Sequence, residues 1–169
     1  MIRVLTETGM RHKGLRSIDY ENVHTDKRYI ITKEKYGVDK CYYITADLAR
    51  HLSFYIEARK TLELDTKALF ISTQLKRISK ENPSYTLKAT TKALGINKNV
   101  TPHTFRRTLN TLRFHMGCDE RIMCILINHA WEGVNFNSYV KLKRDSEDGH
   151  YEEFLTQYDK WNPYKDVQL

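Results

Sequence analysis

The sequence predicts an α+β fold, mainly α-helical, with a small three-stranded antiparallel sheet near the N-terminus. Two observations carry that expectation. Between residues 17 and 45 three short runs (Ile18, Tyr20 and Val23; Tyr29 and Ile31; Cys41 and Tyr43) alternate with their neighbours at the period of two that strands impose, and Gly37 marks a turn between the second and third. After Thr45 the period becomes helical, with Leu48, Leu52, Tyr55 and Ile56 on one face and Asp47 near the helix start.

The remaining elements follow in chain order. Residues 1–15 carry apolar positions at helical intervals, interrupted at Thr8 and Gly9, so one helix ends there and a second begins. Further helices are expected over 84–94, 104–116, 119–128 and around 136–142, punctuated by Gly95, Pro102 and Gly117. The stretch 144–169 mixes acids with Tyr151, Phe154, Tyr158 and Trp161 and reads as a tail with one amphipathic helix. No internal repeat or low-complexity segment divides the chain, and 169 residues fit one domain.

The formal charge of +7, from 28 Lys and Arg against 21 Asp and Glu, points to a polyanionic partner. The basic residues are spread from Arg11 to Arg144, as for a groove lined after folding and not a basic tail. Three cysteines (Cys41, Cys118, Cys124) cannot all pair within one chain and match no zinc spacing, which fits a reducing cytosol. No apolar run approaches the roughly 20 residues of a membrane span, so a soluble, intracellular protein is expected.

Several residues have the chemistry of phosphoryl transfer. In Thr101-Pro-His103-Thr-Phe-Arg106-Arg107-Thr108 a proline precedes a helix on which His103 and Arg106 stand three apart. An imidazole able to take a proton then lies near a guanidinium able to hold two phosphate oxygens. Downstream, the apolar run Ile125-Leu126-Ile127 ends in Asn128-His129, with Tyr139 ten residues further on. Near the start, Thr8-Gly9-Met10-Arg11 places an arginine after a glycine turn, and Lys33 and Lys35, two apart, share one face of a hairpin. Each has a plainer reading: a solvated His/Arg pair, a helix-capping histidine, a core tyrosine with its hydroxyl at the rim, and lysines that protect a sheet edge.

In order, these pieces (Arg, hairpin Lys, His-x-x-Arg, His, Tyr) resemble the tyrosine recombinase or phage integrase family over about residues 4–142. Thr8 to Arg11 is similar to the family's Thr-Gly-Leu-Arg turn, and Lys35 to Ile44 to its lysine hairpin. His103 to Thr108 is similar to its His-x-Leu-Arg-His/Arg-Thr box, Leu126 to His129 to its Leu-Leu-Gly-His box, and Tyr139 to its nucleophile. Three positions depart from the pattern. Gly14 stands where the family has an acidic residue, Asn128 replaces the glycine before the second histidine, and the interval from His129 to Tyr139 is one longer than the commonest, which makes Tyr151 the next candidate nucleophile.

The resemblance implies a catalytic domain over 1–142 with catalytic residues Arg11, Lys35, His103, Arg106, His129 and Tyr139. Tyr139 would attack a DNA phosphodiester and hold the 3′ phosphate. Arg11 and Arg106 would clamp the nonbridging oxygens, Lys35 would protonate the leaving 5′ oxygen, His103 would take the tyrosine proton and His129 would donate to a phosphate oxygen. Lys33 and Arg107 would touch DNA. It further implies double-stranded DNA as partner, a homotetramer on that DNA, integration or excision of a mobile element, no metal or other cofactor, and a cytoplasmic, nucleoid-associated location. The family's N-terminal DNA-clamp domain is expected to be absent here, and the tail 143–169 to be exchanged between protomers. Three other readings stay open from the residues: type IB topoisomerase or telomere resolvase chemistry, a non-catalytic helix-turn-helix DNA-binding module, and a degenerate recombinase that regulates others.

Overall fold

The computed structural model describes residues 1–33, 39–128 and 150–164. Helix α1 (Ile2–Thr8) and helix α2 (His12–Ser17) meet at the predicted interruption, where Gly9 caps α1 with φ 60°. The Thr8 hydroxyl donates to Val4 O at 2.6 Å and accepts from Met10 N at 3.2 Å, which closes the turn. Strands β1 (Val23–His24), β2 (Tyr29–Lys33) and β3 (Asp39–Tyr43) form an antiparallel sheet in that order. Helices α3 (Ala46–Lys60), α4 (Asn82–Ala93), α5 (Pro102–His115), α6 (Glu120–Leu126) and α7 (His150–Lys160) complete the described chain. Among the described residues no helix is long and apolar enough to cross a membrane.

The first strand is shorter than the alternation of Ile18, Tyr20 and Val23 suggests. Tyr20–Asn22 form a 3-10 turn, and the backbone on either side of Asp19 pairs with a distant segment: Leu69 N donates to Ile18 O at 2.9 Å and Tyr20 N to Lys67 O at 3.0 Å. That connector between α3 and α4 has no periodicity of its own. It is held by the buried Arg59 guanidinium, which donates to Ala68 O at 3.2 Å and Thr66 O at 2.8 Å. Gly37 and the expected helix at 136–142 lie outside the described residues.

Strand alternation explains why the sheet is covered on both sides. Ile30 and Tyr42, paired across β2 and β3, point into the main core with Val4, Leu5, Met10, Leu15, Leu48 and Leu52. Their neighbours Tyr29 and Tyr43, also paired, point the other way into a second core with Leu126 of α6 and Tyr151, Leu155 and Tyr158 of α7. Each such side chain removed from water contributes about 1.5–3 kcal/mol. Hydrogen bonds fix α7 as well: Tyr151 donates to Lys27 O at 2.5 Å, Tyr158 to Tyr43 O at 2.7 Å, and Arg28 pairs with Asp159 at 2.5 Å. The aromatic stretch after residue 150 therefore docks its helix on the sheet of its own chain.

Candidate active site

Helix α5 begins where Thr101 and Pro102 dictate. The Thr101 hydroxyl accepts from Thr104 N, the Thr104 hydroxyl accepts from Thr101 N, and Pro102 occupies the first turn, where its missing N–H costs nothing. Arg106, Leu109 and Arg113 repeat at helical spacing along the buried face. That face lies against the end of α1 so closely that a Cβ on Gly9 would sit 3.4 Å from Arg106 Cα and 3.2 Å from Leu109 Cδ2. Glycine at position 9 thus serves both the left-handed backbone and the approach of α5.

Arg106 is only 7% exposed, and its guanidinium bridges two distant segments. Nη1 donates to Gly9 O at 3.0 Å and Nη2 to Ile127 O at 2.7 Å. Gly9 is two residues before Arg11, and Ile127 two before His129. One side chain of the His-x-x-Arg box therefore ties the first-arginine turn to the segment that leads into the second histidine. A third bond brings in the hairpin: Asn128 Nδ2 donates to Cys41 O of β3 at 2.6 Å. Asn128 has φ 52°, a conformation asparagine tolerates better than most residues, which explains how it can stand where the resembled family has glycine.

The other candidates fall as follows. Arg11 is exposed and occupies the N-cap position of α2. His103 is exposed in the first turn of α5, so it and Arg106, though three apart, differ in burial: the histidine lies at the rim and the arginine beneath it. Arg107 is exposed on the outer side of α5. Lys33 ends β2 opposite Asp39 and is exposed, and its carbonyl accepts from the Ser17 hydroxyl at 2.9 Å, joining α2 to the hairpin. Gly14 is buried in α2. Lys35, His129 and Tyr139 lie outside the described residues.

Three tyrosines are committed elsewhere. The Tyr151 hydroxyl is bonded to Lys27 O in the second core. Tyr55 donates to Leu69 O at 3.0 Å, and burial raises its pKa. Tyr158 is 2% exposed, and burial pushes its phenol to about 12 against the opposing charge of Arg113. Burial likewise pushes the Cys118 thiol up to about 11, leaving it unreactive.

Sequence reading did not find the buried polar cluster behind α5. Arg113, 1% exposed, donates to Glu7 O at 3.2 Å and lies over the Tyr158 ring at 5.4 Å. The Glu7 carboxylate accepts from Arg3 Nε at 2.9 Å and from the Thr45 hydroxyl at 2.6 Å. An arginine seven residues after Arg106 on an otherwise apolar helix face was the available signal, since that spacing returns to the same face.

The sequence profile of the phage integrase family matches residues 1–144, and the chain belongs to this family, the tyrosine recombinases. Among curated relatives it is 30% identical over 135 residues to tyrosine recombinase XerD of Oceanobacillus iheyensis, an alignment covering 77% of this chain and 45% of that protein. It is 25% identical over 130 residues to tyrosine recombinase XerC of Leptospira interrogans, covering 77% and 42%. The chain thus spans less than half the length of these relatives. Its fold is that of the crystal structure of XerA recombinase, with TM-score 0.71, 24% identity, and 92% of this chain and 55% of that one covered. The integrase from mycobacterium phage Brujita shares it with TM-score 0.63 and 15% identity over 96% of this chain and 50% of that one. XerH site-specific recombinase bound to difH substrate in a pre-cleavage complex also matches, with TM-score 0.63, 16% identity, and 76% and 38% covered.

Proposed function

We propose that this chain supplies the catalytic domain, over 1–142, for site-specific cleavage and rejoining of double-stranded DNA, through a 3′-phosphotyrosine on Tyr139. The observation that carries the reading is the pair of hydrogen bonds from Arg106 to Gly9 O and Ile127 O, which joins the turn before Arg11, the His-x-x-Arg helix and the approach to the second histidine through one guanidinium. Buried arginines also tie segments together elsewhere in the fold, but this one belongs to the His-x-x-Arg box and lies between the turn before Arg11 and the approach to His129. A guanidinium held in this way suits a phosphate that must be gripped from several sides.

The Tyr139 oxygen attacks phosphorus, the bond to the 5′ oxygen breaks, and that oxygen leaves with a proton from Lys35. His103, at the exposed rim, takes the tyrosine proton. Arg11 and Arg106 stabilise the charge on the nonbridging oxygens, and His129 donates to one of them. Because one phosphodiester replaces another, a second 5′ hydroxyl reverses the step and strands are exchanged without ATP. The engagement of Tyr151 with Lys27 O favours Tyr139 over the next tyrosine in the chain.

Lys33 and Arg107, both exposed, add phosphate contacts, and the +7 charge supplies the long-range attraction. The proposed assembly is a homotetramer on DNA in the cytoplasm, associated with the nucleoid and serving integration or excision of a mobile element. In that assembly the segment 143–169 is exchanged between protomers, α7 taking on a neighbour's sheet the place it holds here on its own. A nicked suicide duplex traps the covalent intermediate: wild type is expected to give an SDS-resistant protein–DNA band and Tyr139→Phe none. A band of equal strength from the variant would remove Tyr139 from the mechanism. Arg106→Ala is expected to slow cleavage by about 10²–10³, the loss seen when one oxyanion donor is deleted.

A further inference from the structure

Asparagine at position 128 does more than adopt a left-handed backbone. If conformation were the only requirement, glycine would meet it with less strain. The side chain is instead buried, at 6% exposure, and its amide donates to Cys41 O on β3 at 2.6 Å. The peptide that ends at Asn128 N is planar, so its carbonyl, Ile127 O, turns with it. Asn128 N donates to Ile125 O at 3.0 Å, and Ile127 O accepts from Arg106 Nη2 at 2.7 Å. Sheet, peptide plane and guanidinium are therefore coupled in sequence: Cys41 O holds the Asn128 amide, Asn128 holds the orientation of the 127–128 peptide, and that carbonyl holds one edge of Arg106. Gly9 O, at 3.0 Å, holds another N–H of the same guanidinium.

We propose that Asn128 is a positioning residue for Arg106, using its side-chain amide to lock the Ile127 carbonyl against the sheet so that the guanidinium is presented in one orientation. The inference rests on the strand-cleavage reading above. It assigns Asn128 a task that a glycine at the same place cannot perform, so the departure from the family's box is compensated by a bond to β3.

Asn128→Gly keeps the left-handed turn and cuts only the bond to Cys41 O. Asn128→Asp keeps the shape and the conformational tolerance but replaces the donor with an acceptor. Both are compared with wild type for thermal stability, for Kd on an intact duplex and for the single-turnover rate on the suicide duplex at saturating DNA. The same Asn128→Gly change is then made in an Arg106→Lys background. Misplacing a reacting group by about 1 Å costs up to roughly a hundredfold, so each single variant is expected to slow cleavage about tenfold or more with Kd changed less than about twofold. Because the residue acts through Arg106, Asn128→Gly should slow the Arg106→Lys protein by less than about twofold. Wild-type cleavage rates in Asn128→Gly, or the same slowing in both backgrounds, would overturn the proposal. No adduct from wild type would bring down the strand-cleavage reading and this inference with it, whereas an adduct with an indifferent residue 128 would bring down the inference alone.

Discussion

Replacing Gly9 with alanine is expected to damage stability and cleavage together, and the structure sets the size of the effect. An L residue held at φ 60° costs about 1–2 kcal/mol relative to glycine. The new Cβ would also lie 3.2 Å from Leu109 Cδ2, tighter than ordinary contact, with Arg106 Cα at 3.4 Å leaving little room to shift, and overpacking of this kind adds about 1 kcal/mol. Gly95→Ala is the control. Its φ of +66° imposes the same backbone cost, but no atom lies within 4 Å of the added methyl. The difference of about 1 kcal/mol corresponds to roughly 2–4 °C in Tm for a chain of this size. Relief of the crowding moves α5 away from the turn and lengthens the 3.0 Å bond from Arg106 to Gly9 O, so cleavage of the suicide duplex should fall in Gly9→Ala and hold in Gly95→Ala. Thermal melts of both variants beside their single-turnover rates give the answer. Equal Tm losses, or unchanged cleavage in Gly9→Ala, would refute the argument that close approach of α5 to Gly9 sets the site.

Three further expectations follow from other parts of the fold. Tyr158→Phe removes the donor to Tyr43 O at 2.7 Å and a partner of Arg113 in a buried site, and should lower stability by about 1–3 kcal/mol, read from the urea midpoint. Glu7→Gln removes the charge that holds Arg3 at 2.9 Å behind α5. It is expected to cost more than Lys67→Gln, which breaks an exposed pair with Glu21, and chemical denaturation of the two variants compares them. Hydrogen bonds from Arg3, then Arg50, hold the Asp47 carboxyl at about 2, below its ordinary value. Stability from this group is complete above about pH 4 and is lost as pH falls through 2. Asp47→Asn should flatten Tm against pH over that window, by no more than about 1 kcal/mol because the pair is half-exposed; parallel curves would contradict it.

Local chemistry made much of this legible in the sequence. Thr8-Gly9 marked a helix end because few other pairs close such a turn. The change of period after Thr45 marked the start of α3, whereas the helix expected from 104 begins at Pro102, because Thr101 caps it by accepting from Thr104 N. The alternation through Tyr29 and Ile31 gave β2, and Cys41 and Tyr43 gave β3. What stayed hidden depends on partners distant in the chain. Ile18 and Tyr20 look like strand residues, but their backbone bonds go to Leu69 and Lys67, which no local pattern announces. Arg113 and Glu7 carry no local sign of burial; they are enclosed by partners far along the chain, Tyr158 of α7 and Thr45 at the start of α3. Asn128 read only as a departure from a family box, since the bond that gives it a task reaches back to Cys41, 87 positions earlier. Of the site itself, the sequence supplied the residue types and their order, and the structure supplied the guanidinium of Arg106 that joins the Gly9 turn to the Ile127 carbonyl.

The most direct test of the account is to identify the atom that carries DNA. After trapping on the suicide duplex, digestion with nuclease and trypsin leaves a nucleotide-bearing peptide for mass spectrometry. The tryptic fragment 122–141 contains Tyr139 as its sole tyrosine, whereas Tyr151 and Tyr158 share the fragment 145–160. The account predicts a 3′-linked nucleotide on fragment 122–141; a nucleotide on any other fragment, or one attached through its 5′ phosphate, would contradict it.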